Sequence, residues 1–465
     1  MHSSETLQLS RRSLLAGSSF GLGSAALSHL LADSSGTSKL IGKAKRVIFL
    51  CMSGGPSHLE TFDYKPELDK LNGQPMPESF TKGQPIAQLQ GQKLKVQGHL
   101  TKFKRYGKSG QYISDFLPHT AKMADEIAII RSMVTEQINH DPAHTFLSTG
   151  TAISGHPSMG AWITYGLGSA TKNLPAFVVL TSTGGRNPQP IASRQWGAGF
   201  LPSRYQGVEF NSTGDPVHYV RSPKGIHDEQ QAALVNTIKK LDKQRNNLVN
   251  NPEIQTRIAA YEMAFRMQSS VPELMDLSDE PASVLEHYGA KPGDGSYASN
   301  CLLARRLAER GVRFIQLYQR GWDHHGNLPN RMKQLTGLTD QPTAALLGDL
   351  KSRGMLEDTL VIWGGEFGRT IYCQGKLTKQ TYGRDHHPNC FSMWMAGGGV
   401  KGGMTYGSTD DYSVNVVDKG VHIHDLQATI LNQLGVDHER LTFKHQGRHY
   451  RLTDVYGHVV KDILA

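Results

Sequence analysis

Three short stretches gather carboxylates and imidazoles: Trp322-Asp323-His324-His325-Gly326, Gly365-Glu366-Phe367-Gly368-Arg369 and Arg384-Asp385-His386-His387. Asp, Glu and His are the ligand set of zinc, manganese and other borderline divalent ions, and carboxylates also suit calcium. A site built from separate strand ends needs such residues scattered along the chain, as they are here. The chemistry this points to is metal-assisted hydrolysis. Arg369 and Arg384 suit a sulfate or phosphate, because a guanidinium fork matches a tetrahedral anion. Either arginine can instead be an ion-pair partner of Asp385 or Glu366.

The elements that must carry these residues are legible as apolar runs. Arg46-Val47-Ile48-Phe49-Leu50-Cys51-Met52 is a continuous run broken by Ser53-Gly54-Gly55-Pro56, the pattern of a buried parallel strand feeding a tight loop. Similar runs recur over 127–130, 176–180, 312–317, 359–363 and 391–395, with helical periodicity over 297–310 and 332–353 between them. Strands alternating with helices predict an α/β fold with a mostly parallel central sheet and helices on both faces, its functional loops at the carboxyl ends of the strands. The polar segment 65–112 reads as a surface excursion. Segment 227–277, with apolar positions at Leu234, Ile238, Leu241, Leu248, Ile258, Tyr261, Phe265 and Met267, reads as a helical hairpin inserted against the core. Segment 181–223 reads as a long loop near the active site.

The first strand leads into Ser53, Ser57 and His58, with no carboxylate before Glu60 and Asp63. Ser57 is either a helix cap or a catalytic hydroxyl. Asp323 likewise admits a capping role, and the histidines of 384–388 admit a solvated loop.

At 465 residues, 38% of them hydrophobic, the chain is long enough for a large core. Its formal net charge of +9 is dispersed, and no nucleic-acid motif accompanies it, so nucleic-acid binding is not expected. The opening Ser10-Arg11-Arg12-Ser13-Leu14-Leu15, followed by a mildly apolar Gly/Ala/Ser-rich run, has the layout of a twin-arginine export signal over about 1–32. Glycines, serines and His29 interrupt that run, so no permanent membrane span is expected, and the mature protein is expected in the periplasm or outside the cell. The four cysteines are too scattered for a disulfide framework; Cys51 is expected to be buried, and a Cys373–Cys390 bridge stays open.

Residues 356–369 resemble the sulfatase and alkaline phosphatase stretch L-x-x-T-L-V-I-x-x-S-D-[NH]-G, with Glu366 at the metal-binding Asp. Residues 139–150 are similar to the sulfatase signature around the formylglycine nucleophile. Pro142, Thr149 and Gly150 match, but His140 stands at the nucleophile and His144 at the Arg. His140 can therefore ligate metal, act as a nucleophile or move protons. The Asp expected at the end of the first strand is absent. From the first strand exit through Gly-Arg-Asp-His-His-Pro, about 40–465 resembles the bacterial domain-of-unknown-function family 1501, exported proteins often labelled sulfatase-like. The resemblance implies an alkaline phosphatase-like three-layer sandwich, with Asp323, His325, Glu366 and His386 holding a zinc, manganese or calcium ion. His140, Arg369 and Arg384 become the implied catalytic groups, with Ser57, His58, His144, His324, Asp385 and His387 as additional candidates. The implied substrate is a small-molecule or polysaccharide sulfate or phosphate ester. The alternative is a catalytically inactive binding or scaffold protein on the same fold, and sugar binding through Trp196 and Tyr205 is compatible with both. The oligomeric state is not legible.

Overall fold

In the computed structural model, β1 (Arg46–Met52) is buried along nearly its whole length, and its alternate residues enter two different cores. Ile48, Leu50 and Met52 pack into one and Val47, Phe49 and Cys51 into the other, as period-2 alternation requires of a strand covered on both faces. The structure describes residues 42–83, 89, 93–185, 188–217, 227–249, 252–374, 378 and 382–465. The expected export signal lies outside these residues.

The strands that follow are β2 (Ile127–Val134), β3 (Phe177–Thr181), β4 (Val208–Phe210), β5 (Phe314–Gln319) and β6 (Thr359–Gly364). After them come β7 (Gly368–Cys373), β8 (Arg384–His387), β9 (Phe391–Ala396), β10 (Met404–Tyr406) and β11 (Val421–His422). Among the described residues nine strands form the main sheet, in the order β10-β2-β9-β6-β1-β5-β3-β4 with β11 beside β2. All pairings are parallel except those of β9, which runs antiparallel between β2 and β6. β7 and β8 form a separate antiparallel ribbon.

The longer helices are α1 (His140–Thr149), α2 (Met159–Leu167), α3 (Asp228–Val249), α4 (Pro252–Met275), α5 (Tyr297–Glu309), α6 (Leu328–Ser352) and α7 (Ile423–Gln433). Residues of α4, α5 and α6 fill the core on one face of the sheet, and those of α1, α2 and α7 fill the core on the other. The three-layer α/β architecture is therefore the expected one.

The insert is the expected helical pair, joined by a Lys239–Glu262 ion pair. Its apolar stripe is only partly covered: Ile258 and Met267 are buried, whereas Leu234, Leu241 and Tyr261 are exposed. Segment 181–223 departs from a plain loop, because it contains β4, which extends the sheet beside β3. Three residues are too few for periodicity to reveal. The region 65–112 holds short helices over Pro66–Lys70 and Glu78–Thr81 and a hairpin of Phe103–Tyr106 with Gln111–Ser114. All four cysteines are buried and none forms a disulfide, so Cys373 and Cys390 are not bridged. No described helix is long and apolar enough to cross a membrane.

Candidate metal centre

The strand order brings four exits to one edge of the sheet. β1 leads to Gly54, β5 leads to Asp323 and His325, β6 leads to Glu366, and β2 leads to α1, which begins at His140. The antiparallel β9 enters from this same edge, so the ribbon strand preceding it delivers His386 there. His386 pairs with Arg369 in the β7–β8 register. His140 and His144, four residues apart, share one face of α1. Sequence positions more than 200 residues apart thus meet at the carboxyl edge, where open α/β sheets build their sites.

Asp323 lies at the centre of one group. Its Oδ1 is 2.8 Å from His325 Nε2, 3.3 Å from His386 Nε2, 3.3 Å from His140 Nε2 and 2.7 Å from Arg369 Nη2. Glu366 lies at the centre of a second group, with Oε1 2.6 Å from His140 Nδ1 and 3.3 Å from His144 Nε2. The Gly54 N–H donates to both Glu366 oxygens, at 3.0 and 3.2 Å. That amide can reach the carboxylate because Gly54 adopts φ +118°, and a Cβ there would collide with the backbone of Asp323.

The centre is a candidate cation site. His386 Nδ1–H donates to the Ile138 carbonyl at 2.7 Å, which leaves Nε2 as the bare nitrogen turned toward the Asp323 carboxylate. Burial pushes His386 down to about 4, so near neutral pH two acceptors face one another. His325 Nδ1 is engaged by Gln374 Oε1, turning its Nε2 to Asp323 in the same way. A ring N–H anchored on a carbonyl is the outer-shell arrangement of metal-ligating histidines, whose other nitrogen holds the ion. His144 Nε2 is also buried without a hydrogen-bond partner, and burial lowers that imidazole's pKa. Asp323 and Glu366 are both held ionised. Burial opposes this, but Arg369 and the imidazoles outweigh it at Asp323, and His144 and His140 outweigh it at Glu366, whose carboxyl falls to about 2. The donor set of carboxylate oxygens and imidazole nitrogens fits a borderline divalent ion.

The expected ligands do not form a single set. Asp323, His325 and His386 group with His140, whereas Glu366 groups with His140 and His144. Arg384 is committed to internal partners: it is fully buried, bonds Glu60 at 2.7 to 3.2 Å, and donates its remaining N–H groups to the carbonyls of Gln97, Thr370 and Gly98. Arg369 is similarly committed, to the carbonyls of Gly54, Gly55 and Arg384 and to Asp323, so it positions Asp323. Ser57 donates to Glu60.

His58 bonds Ser413 Oγ at 3.0 Å, and Ser413 in turn donates to Asp63. His387 donates to the Val414 carbonyl. Asp385 accepts from the His386 N–H, and His324 is buried against Trp322. Trp196 is buried beside Tyr318, and Tyr205 is half-buried under Arg204. Two polar contributors are not singled out by the sequence: the Gly54 amide, hinted at only by Gly54-Gly55, and Gln374, which follows the buried strand β7.

The fold and the cluster define an α/β protein with a carboxylate–imidazole centre at the carboxyl edge of its sheet. A family model described as a protein of unknown function, DUF1501, matches residues 44–464, and the chain belongs to that family. No curated protein matches it. Among solved structures it is similar to Ps i-CgsB in complex with k-i-k-neocarrahexaose, with 9% identity, 84% of this chain and 72% of that one covered, and a TM-score of 0.38. It is similar to the PsFucS1 sulfatase from Pseudoalteromonas sp. at 12% identity, 90% and 71% coverage and a TM-score of 0.35. A TAB5 alkaline phosphatase variant with Mg bound in its M3 site is 12% identical, with 78% and 94% covered and a TM-score of 0.32.

Proposed function

We propose that this protein is an exported, metal-dependent hydrolase of sulfate or phosphate esters. The observation that carries the metal part of the reading is the convergence of imidazole nitrogens of His386, His325 and His144 on two ionised carboxylates. The ester class rests on the likeness of residues 356–369 and 139–150 to sulfatase stretches, and export rests on the twin-arginine layout. A bound divalent ion would supply Lewis acidity toward a sulfuryl or phosphoryl oxygen and would acidify water. Asp323, His325 and His386 would hold it, with Arg369 fixing the Asp323 carboxylate and Ile138 fixing the His386 ring. Asp323 and His325 retain side-chain exposures of 16% and 24%, which leaves this half of the centre open to a substrate.

The test is metal analysis of purified mature protein, followed by assays with aryl sulfate, phosphomonoester and phosphodiester substrates at several pH values. Stoichiometric metal with turnover of one class is expected, and loss of turnover in chelator should be reversed by the metal. Absence of metal, with Glu366→Ala leaving thermal stability unchanged in chelator and in added metal, would end the hydrolase reading. One observation favours a second reading, a binding protein without catalysis: Ser57, Arg369 and Arg384 are all committed to internal partners. Metal without turnover on every substrate would support it.

A further inference from the structure

His140 is shared by both candidate ligand groups, and it presents a different nitrogen to each. Nδ1 lies 2.6 Å from Glu366 Oε1, in the group completed by His144. Nε2 lies 3.3 Å from Asp323 Oδ1, in the group completed by His325 and His386. Neither ring nitrogen is turned toward a backbone carbonyl, in contrast to His386, whose Nδ1 is anchored on Ile138. An imidazole that spends one nitrogen on an anchor can ligate one ion; His140 has both nitrogens directed at candidate ligand groups. The ring is also fixed, being the first residue of α1 and packed against Phe367 and the His386 ring.

We propose that His140 is a bridging ligand joining two metal ions, one bound by Glu366 and His144 and the other by Asp323, His325 and His386. The inference rests on the metal-dependent reading above. Each ion takes the lone pair of one ring nitrogen, and the single N–H proton of the neutral ring leaves to solvent when the second ion binds. The two positions differ in access. His144 and Glu366 are 4% and 0% exposed, whereas Asp323 and His325 border solvent. The inner ion therefore orders the centre, and the outer ion is the one with room for an exchangeable ligand.

The competing arrangement is a protonated His140 held between Asp323 and Glu366 with no metal on its ring. The hydrogen bonds and the Glu366 charge raise the His140 pKa despite the burial that opposes them, so the metal-free protein provides for this state.

The experiment uses the full mature chain, stripped with chelator and reconstituted with zinc for stoichiometry or with copper(II) for electron paramagnetic resonance. Copper is chosen because it binds imidazole nitrogen strongly and its spin reports a bridge. Both candidate groups should fill, at two ions per chain. The dicopper form should lose most of its isolated-ion signal through exchange coupling. His144→Ala should bind one ion and recover the isolated signal, and His140→Ala should abolish the coupling even where metal is retained. Two ions with an uncoupled spectrum in the unsubstituted protein would overturn the bridge, whatever the variants do. One ion per chain would overturn it too, while leaving the metal-dependent hydrolase standing. No metal at all would overturn both.

Discussion

Asp323 faces three imidazole nitrogens and accepts from a buried guanidinium with one oxygen, so its charge organises the outer half of the centre. Asp323→Asn removes that charge while nearly preserving shape. Metal affinity should fall by more than the roughly 10–100-fold typical of an outer-shell change, read by competition with a chromogenic chelator. A second residue-level prediction concerns His58, which burial pushes down to about 3. Its unfolded pKa is about 6.5, so between those values the unfolded chain binds more protons and stability rises with pH. The contribution is fully present above about pH 6.5 and is lost as pH falls toward 3. His58→Gln should be about 1–2 kcal/mol less stable at pH 7.5, through weakened hydrogen bonds to Ser413 and Arg369. Its denaturation midpoint should fall less steeply on acidification than that of the parent protein, partly and not wholly, because buried His324 is also depressed to about 3. An equal slope in the two proteins would show that His58 does not titrate with folding.

The β7–β8 ribbon is the element on which the centre depends most, since it carries Arg369 and His386 and is locked from behind by Arg384 on Glu60. Both partners of that pair are fully buried. Arg384→Ala should cost about 3–5 kcal/mol, because a carboxylate is left uncompensated in the interior. If the stabilised fraction keeps the KM of the parent on a working substrate, Arg384 acts as a structural tie; a large rise in KM with unchanged stability would instead make it an anion grip. At the β1 exit, Gly54→Ala places a Cβ against the Asp323 backbone at a positive φ, and metal binding and stability should fall together. These element-level facts show what was legible in the sequence. The runs that became β1, β5, β6 and β9 were readable because both faces are buried, and the helices α5 and α6 because their spacing is regular. The residues of the centre were readable by type, since clustered Asp, Glu and His have few other uses. Their grouping was not, because it depends on β9 entering the sheet antiparallel and on α1 turning two imidazoles inward. The commitment of Arg384 to Glu60 crosses 324 positions and leaves no local signature.

For the whole molecule, a centre assembled from β1, β2, β5, β6 and the ribbon ties together elements that no single loop connects. Metal that binds only the native state stabilises it by about 2.7 kcal/mol at a hundredfold excess over Kd. The melting temperature should therefore rise with added metal and drop in chelator, and Glu366→Ala should blunt that response. The four buried thiols carry a different consequence. With no bridge to form and no exposed sulfur to misjoin, the chain needs neither an oxidant nor a disulfide isomerase to reach its final state. Refolding yield should be the same in strong reductant as in air, and the domain can be completed in a reducing compartment before any passage across a membrane.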